Sequence, residues 1–309
     1  MGKHITIIGA SMHWGQPRKG VDMGPDAIRY AGAVEKLKNL GLQVEDLGNI
    51  NPDIKRKKVD CAGKLNNLSE VTEFNIRLAE ETNKIAAGKS FPLILGGDHS
   101  IAIGTVAGIS HHYKNLGIIW FDAHGDLNTP ETSPSGNIHG MPLAVSLGFG
   151  EQILTEIGGY RPKVKAENIV LIGVRELDDG EKTLIRHEQI KVCTMQDVNR
   201  YGMRTVMEET IQYFQKQQTD GVHLSFDLDS ADPFYAPGVG TPVAGGLSDR
   251  ECRLAMEMLA GSNLVTSAEF VEVNPLLDDR NKTSSLAADL IASLFGERLL
   301  QENSSIALN

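Results

Sequence analysis

The sequence predicts an α/β fold built on a mostly parallel sheet with helices on both faces. Three observations lead there. Short, nearly continuous apolar runs of strand length recur between residues 4 and 273. Amphipathic stretches of helical period lie between them, and no linker, repeat or low-complexity segment breaks the alternation. Strands covered on both faces lose the in/out alternation of hairpin sheets, and strand–helix–strand units make neighbours parallel.

The expected strands are HITIIGA (4–10), QVEDLG (43–48), FPLILGGD (91–98), GIIWFDAH (117–124), NIVLIGV (168–174), KVCTM (191–195), VHLSFDLD (222–229) and VTSAEFVEV (265–273). Helical period shows in Met207, Ile211 and Phe214, and again in Leu286, Leu290 and Leu294. Helix starts are marked by Pro25 after Gly24, by Ser248 before DRECRLAMEML and by Thr283 before the last helix. Residues 51–69 are polar and lysine-rich, which suits a surface excursion. The tail 301–309 is expected to fray, and residues 1–309 read as one domain.

Composition removes several function classes. A formal net charge of −10 argues against nucleic acid as the main partner. Cys61, Cys193 and Cys252 are far apart and form no CxxC, so a thiolate zinc site or disulfide framework is not expected, and a reduced cytoplasmic setting fits. No apolar run approaches the ~20 residues that span a bilayer, and the N-terminus lacks a signal-peptide core. Gly2 and Thr6 match a loose myristoylation pattern, but HITIIGA reads better as a core strand.

Chemistry concentrates at strand ends. In open parallel sheets, ligands bind beyond the carboxyl ends of the strands. Four segments carry unusual polar residues there: GGDHS (96–100), DAHGD (122–126), SFDLDSADP (225–233) and EFVEVNP (269–275). Residues two apart on a strand point the same way, about 6.8 Å apart. Asp122 and His124 would then project to one side, with Asp126 following, and Asp227 with Asp229 likewise. Isolated buried carboxylates are very costly, and a metal removes the cost. The charges of Asp122, Asp126, Asp227 and Asp229 balance two divalent cations, with His99 and His124 as neutral nitrogen ligands. An oxygen-rich set without sulfur favours Mn²⁺ over a structural zinc site, although Co²⁺, Ni²⁺ or Zn²⁺ could compete.

The remaining polar residues divide. Asp98 and Asp232 suit capping or turn roles as well as functional ones. His111 and His112 sit at the end of a helical pattern, where surface or C-terminal cation roles suffice, and His4, His187 and His223 have no acidic company in sequence and read as structural. His139 differs, because it follows the acidic strand in the Gly-bounded loop SGNIHGMPL. Beside a metal it is a candidate proton shuttle. Glu269 and Glu272 would fall on opposite faces of one strand. Glu272 is nearer the carboxyl end and could hold a planar cation bidentately, leaving Glu269 as a structural acid.

Together GGDHS, DAHGD, SGNIHGMP, SFDLDSADPFYAPGVGTP and EVNP resemble the ureohydrolase (arginase/agmatinase) family, and its bacterial arginase branch best. The match runs from about residue 4 to residue 300 and includes RKGVDMGPDAIRYAG and EFVEVNPLLDDRNKT. The resemblance implies a three-layer arginase-like fold with an eight-stranded, mostly parallel sheet flanked by helices. It also implies homotrimers or homohexamers and two Mn²⁺ per subunit. One ion would draw on His99, Asp122 and Asp126, the other on His124, Asp122, Asp227 and Asp229. His139 matches the shuttle histidine and Glu272 the guanidinium-binding glutamate. Asn128 and Ser135 match positions reading the substrate carboxylate, and Asp178 one near its α-amino group. Departures from the family pattern are His13 and Trp14 in the first loop and Ser230 and Ala231 after the acidic pair.

The reaction implied is hydrolysis of L-arginine to L-ornithine and urea. Water activated by both metals would attack the guanidinium carbon, Asp126 accepting a hydrogen bond from it. Three alternatives stay open at this point: an agmatinase, which would share every metal ligand; a one-metal zinc deacetylase on a related fold; and a non-catalytic binding protein that retains the fold.

Overall fold

A computed structural model of the chain describes residues 4–50 and 64–299. All the expected strands form: β1 (His4–Ala10), β2 (Gln43–Asn49), β3 (Phe91–Gly96), β4 (Leu116–Phe121), β5 (Ile169–Val174), β6 (Lys191–Thr194), β7 (Gly221–Asp227) and β8 (Val265–Val271). They make one 8-stranded sheet in the order β2-β1-β3-β8-β7-β4-β5-β6. Every neighbouring pair is parallel.

Successive side chains of an inner strand serve opposite faces, which is why both must be apolar. In β4, Ile119 and Phe121 join a cluster with Met207 and Phe214 of the helix Met203–Gln217 and with Cys252, Met256 and Leu259 of the helix Asp249–Ser262. Ile118 and Trp120 point the other way, to Val106 and Ile109 of the helix Ala102–Ser110 and Leu143 of Pro142–Ser146. Full burial of one such side chain contributes about 1.5–3 kcal/mol. The edge strand β2 is largely exposed, in keeping with its polar sequence QVEDLGN.

The order of the sheet determines where function can gather. Strands β3, β8, β7 and β4 are consecutive neighbours. The loops after them hold GGDHS, EVNP, DLDS and DAHGD, so segments far apart in sequence meet at one edge.

Several boundaries differ from the sequence reading. The strands end at Gly96, Phe121, Asp227 and Val271, so Asp98, Asp122, His124, Asp229 and Glu272 follow them while Asp227 and Glu269 stay within theirs. Carboxylates turn back onto their own backbone and end the strand pairing. Asp122 Oδ1 accepts from the His124 N–H at 2.7 Å, and Asp227 Oδ1 accepts from the Asp229 N–H at 2.7 Å. Alternation along a strand therefore does not align Asp122 with His124; a local turn does.

The last helix begins at Lys282 with Asn281 as its N-cap, two residues ahead of the expected Thr283. Asp278 there accepts from the Thr283 N–H at 3.0 Å. Ser248 caps its helix as expected, with Glu251 reaching back to the Ser248 N–H at 2.8 Å. The stretch 51–69, expected as a surface excursion, lies outside the described residues except for 64–69, where the helix Leu68–Ala87 begins. The tail 301–309, Cys61 and Gly2 also lie outside them. No helix among the described residues is long and apolar enough to cross a membrane.

Gly97 joins the scaffold to the site. Its N–H donates to Ala10 O at 2.8 Å and its carbonyl accepts from the Glu272 N–H at 2.9 Å. A Cβ there would lie 2.0 Å from the backbone oxygen of Met12, which has no room to move. Gly97→Ala is expected to lower unfolding free energy by roughly 1–3 kcal/mol in urea titration. Gly261→Ala, in a helix with open space around the added carbon, is expected to be neutral or to stabilise by up to about 1 kcal/mol.

Candidate active site

Two acidic clusters share Asp122. In the first, His99 Nδ1 lies 3.1 Å from Asp122 Oδ2, 3.0 Å from Asp126 Oδ2 and 3.0 Å from Asp227 Oδ2. In the second, His124 Nδ1 lies 3.3 Å from Asp122 Oδ1 and 3.1 Å from Asp229 Oδ2. Asp227, expected beside His124, has its carboxylate against His99. Ligand atoms of His99, Asp122 and Asp227 fall within 4.8 Å of one another, as do those of Asp122, His124 and Asp229.

The electrostatics of this cluster favour a cation. Burial raises the Asp126 carboxyl and the Asp122 charge raises it further, to about 7. Burial and the charges of Asp229 and Asp122 push Asp227 well above the ordinary carboxylate range. Burial lowers His99, but Asp126, Asp122 and Asp227 outweigh it and hold the imidazole well above its usual value. His124 is raised in the same way, with Asp229 the chief opposing charge to burial.

Hydrogen bonds do not resolve this crowding. His99 Nδ1 and Asp126 Oδ2 are buried without a hydrogen-bond partner, although they lie 3.0 Å apart. Their separation is short, but they are not aligned as donor and acceptor. Oxygen and imidazole ligands converging with unpaired atoms are the donor set a divalent cation takes, so these residues fit metal ions.

The surroundings hold the ligands in place. The Trp120 ring stacks on the His99 ring with centroids 4.2 Å apart, and its Nε1–H donates to Asp122 Oδ2 at 3.0 Å. Asp229 accepts from the Ala123 N–H at 3.1 Å and from Thr241 Oγ1 at 3.1 Å. Arg175, which the sequence reading does not single out, donates to the carbonyls of Asp229 at 2.7 Å and Val243 at 2.7 Å.

Glu272 lies just beyond β8 in the left-handed region, φ 66°. Glu272 and Glu269 therefore do not project to opposite faces of one strand, and both acids converge on His99. Glu272 Oε1 accepts from the His99 N–H at 2.9 Å. Glu269, fully buried in β8, reaches the His99 ring through Ser225. Glu272 Oε2 accepts from Gln16 Nε2 at 2.6 Å. Gln16 carries no local sequence signal, because its partner is 256 residues away.

His139 Nδ1 is 3.5 Å from Glu272 Oε1. Burial lowers His139, Glu272 overcomes that, and the imidazole is raised; Glu272 is lowered in turn by His139 against burial. Asp98 takes the capping role, accepting from the N–H groups of Ser100 and Gly15, each at 3.0 Å. Burial, then Glu272, raises it to about 6. Asp232 forms a turn with the N–H groups of Phe234, Gly245 and Gly246.

A cavity of about 140 Å³ lies over the cluster. Of the metal-ligand, shuttle and substrate-binding residues expected from sequence, all but Asp122 and Glu272 line it. At its outer end Asn128 Nδ2 donates to Asp178 Oδ2 at 2.8 Å, and Thr132 Oγ1 donates to Asn128 Oδ1 at 2.9 Å. Ser135 is exposed at the rim, where its Oγ accepts from the Asn137 N–H at 3.2 Å. Glu181 also lines the cavity, accepting from the N–H groups of Leu127 at 3.0 Å and Asp178 at 2.8 Å. The sequence reading misses it, although Asp178-x-x-Glu181 is a legible helix-start pattern. A wider space of about 470 Å³ adjoins on the Arg18 and Glu176 side.

The departures leave the cluster intact. Ser230 is buried, but its hydroxyl donates to Asp227 O at 2.6 Å. His13 Nδ1 faces Asp22 at 3.7 Å, and Trp14 packs edge-on to Phe74, so neither enters the cavity.

Comparison with known proteins agrees with this geometry. The family model described as "Arginase family" matches residues 3–296. An arginase of Bacillus caldovelox is 61% identical over 300 residues, spanning 96% of this chain and 100% of that protein. An arginase of Bacillus subtilis is 58% identical, spanning 97% of this chain and 100% of that protein. The solved Bacillus caldovelox arginase superposes with a TM-score of 0.93 at 60% identity, over 96% of this chain and 100% of that one. The sheet, the acidic clusters and these matches together place the chain in the arginase family.

Proposed function

We propose that the protein hydrolyses L-arginine to L-ornithine and urea with two Mn²⁺ ions per subunit. The observation that carries this reading is one cavity with two unlike ends. The deep end gathers His99, His124, Asp126, Asp227 and Asp229, and the outer end offers Asn128, Ser135 and Asp178. A guanidinium and an α-amino acid group are the two ends of arginine. Relatives that bear the name arginase support the same choice. The reading takes residues 1–309 as one domain that assembles as a homotrimer or homohexamer in the cytoplasm.

His99, Asp122, His124, Asp126, Asp227 and Asp229 would hold the ions, which when bound supply Lewis acidity and lower the pKa of water towards neutrality. The rest of the work belongs to the chain. Glu272, kept charged by His139, attracts the guanidinium and aligns it. Asp126 keeps one buried oxygen without a partner, able to accept a hydrogen bond from the attacking water. The water oxygen first adds to the guanidinium carbon, and the bond from that carbon to the nitrogen borne by Cδ breaks afterwards. One proton of the water passes by way of Asp126 to that nitrogen, the other is lost to solvent, and the amine must leave with a further proton. His139, raised by Glu272 against the effect of burial, supplies that proton and recovers it from solvent through its partly exposed edge. Asn128 and Ser135 read the carboxylate, and Asp178 the α-amino group.

Urea release from arginine by the metal-loaded protein is the direct test. Arginine should exceed agmatine, which lacks the carboxylate, by at least ~100-fold in kcat/KM, because unpaired polar groups in a site penalise the truncated substrate. Equal turnover of the two would refute the arginine assignment and favour an agmatinase.

His139→Asn should keep both metals, counted by elemental analysis, while kcat falls roughly 10²–10⁴-fold. Loss of metal in this variant would show that His139 is not a shuttle.

Chelation should lower the melting temperature, and Mn²⁺ should restore it. At 100 times its dissociation constant, one ion adds about 2.7 kcal/mol. Calorimetry with Mn²⁺, Co²⁺, Ni²⁺ and Zn²⁺ in turn ranks the metals, and indifference to all of them would end the metal reading.

A further inference from the structure

A row of polar side chains crosses the sheet directly beneath the acidic clusters. Register pairs Trp120 of β4 with Ser225 of β7, and Ser225 with Glu269 of β8. One step further from the site, His223 pairs with Ser267. These positions lie inside a parallel sheet, where neighbouring residues are apolar and Ser225, His223 and Glu269 are fully buried. A buried carboxylate in such a place needs a reason.

The hydrogen bonds supply one. Glu269 Oε1 accepts from Ser225 Oγ at 2.7 Å. A serine hydroxyl has a single proton, and it is committed to the carboxylate. Ser225 Oγ also lies 2.8 Å from His99 Nε2, and it can only accept there. His99 Nε2 must therefore carry a proton. Its Nδ1, which has no hydrogen-bond partner, is then the atom free to offer a lone pair. That atom is the one 3.0–3.1 Å from Asp122, Asp126 and Asp227. On the far side, His223 Nε2 sits 3.4 Å from the same Glu269 oxygen, and His223 Nδ1 is 3.0 Å from Ser267 Oγ.

We propose that Glu269 is a positioning residue, which acts through Ser225 to fix the His99 tautomer and aim Nδ1 at the metal nearest Asp126 and Asp227. The inference rests on the dimetal reading and deepens it. Glu269 touches neither substrate nor ion. Its negative charge sets the direction of the hydrogen-bond chain, and with that direction the identity of the coordinating nitrogen. Glutamine at this position fills the same volume but can donate. Ser225 could then accept from the amide and donate to Nε2, which would move the proton to Nδ1 and block it.

The test is a calorimetric titration of metal-free protein with Mn²⁺, together with its metal-free melting temperature. The unsubstituted protein should bind in two steps. Glu269→Gln should keep its fold and weaken one step by about 10–100-fold, the range for lost partners of ligating histidines, leaving the other step within twofold. Ser225→Ala, which removes one oxygen atom, should weaken the same step. Glu269→Asp, which keeps the acceptor, should recover part of the loss. A purely structural role would lower the melting temperature and leave both affinities alone, and that outcome overturns the relay. Equal weakening of both steps, or loss of the fold in both the Glu269→Gln and Ser225→Ala variants, overturns it as well. Absence of metal binding by the unsubstituted protein overturns the dimetal reading and the relay with it. Binding left unchanged by Glu269→Gln and Ser225→Ala overturns the relay alone.

Discussion

The mutual repulsion of Asp122, Asp126, Asp227 and Asp229 is the constraint around which this structure is arranged. All are buried, and beyond the cost of burial Asp122 makes Asp126, Asp227 and Asp229 harder to ionise, as Asp229 does Asp227. Proteins seldom gather such groups, because desolvating several like charges costs more than local hydrogen bonds return. Here the return comes from several directions: backbone N–H groups, Trp120, Thr241 and two imidazoles. Even so, His99 Nδ1 and Asp126 Oδ2 are left without hydrogen bonds. A cation between them would supply the remaining attraction, and metal binding would then be tied to the stability of the loops that carry these residues.

The parallel sheet makes this gathering possible. Its strand order sets β3, β8, β7 and β4 side by side although they lie far apart in sequence. Each strand is anchored on both faces by apolar packing, so the first residues beyond it are held by a rigid base. The loops can then be irregular without being loose. The same base carries the polar row through Ser225 and Glu269, which reaches the site from below while the loops reach it from the sides.

Most of the architecture is legible in the sequence because burial on both faces leaves an unmistakable apolar run. The ends of the runs are not. FDAH and FDLD continue the strand pattern on paper, but an aspartate that bonds to the N–H two residues on ends the pairing earlier. The polar segments are legible as well, since acidic groups at four strand ends are chemically conspicuous. What escapes is company that the fold supplies from elsewhere. His223 has no acid nearby in sequence, yet Glu269 lies 3.4 Å away on the adjoining strand. Gln16 supports Glu272 across nearly the whole chain, and no spacing rule links them. Glu181 was within reach, because Asp178-x-x-Glu181 is a helix-start pattern whose glutamate side chain turns back to the backbone.

Of the nine described non-glycine residues with left-handed φ, two are acids of the site. Asp126 and Glu272 both occupy the left-handed region, with φ 52° and 66°. For residues with a side chain this costs of order 1–3 kcal/mol each, and it persists only where neighbours over-determine it. The neighbours are identifiable. Asp126 O accepts from the N–H groups of Leu143 at 3.0 Å and Ala144 at 3.2 Å, at the start of the helix that follows His139. Glu272 N–H donates to Gly97 O, and its carboxylate is held by the His99 N–H and Gln16. The helix after His139 thus fixes Asp126, and the loop before His99 fixes Glu272. A change that relaxed either loop to an ordinary conformation would lower local strain and at once misdirect a carboxylate. The strain and the aim of the side chains are consequences of the same contacts, so stability at these positions is expected to be gained only at the expense of the site.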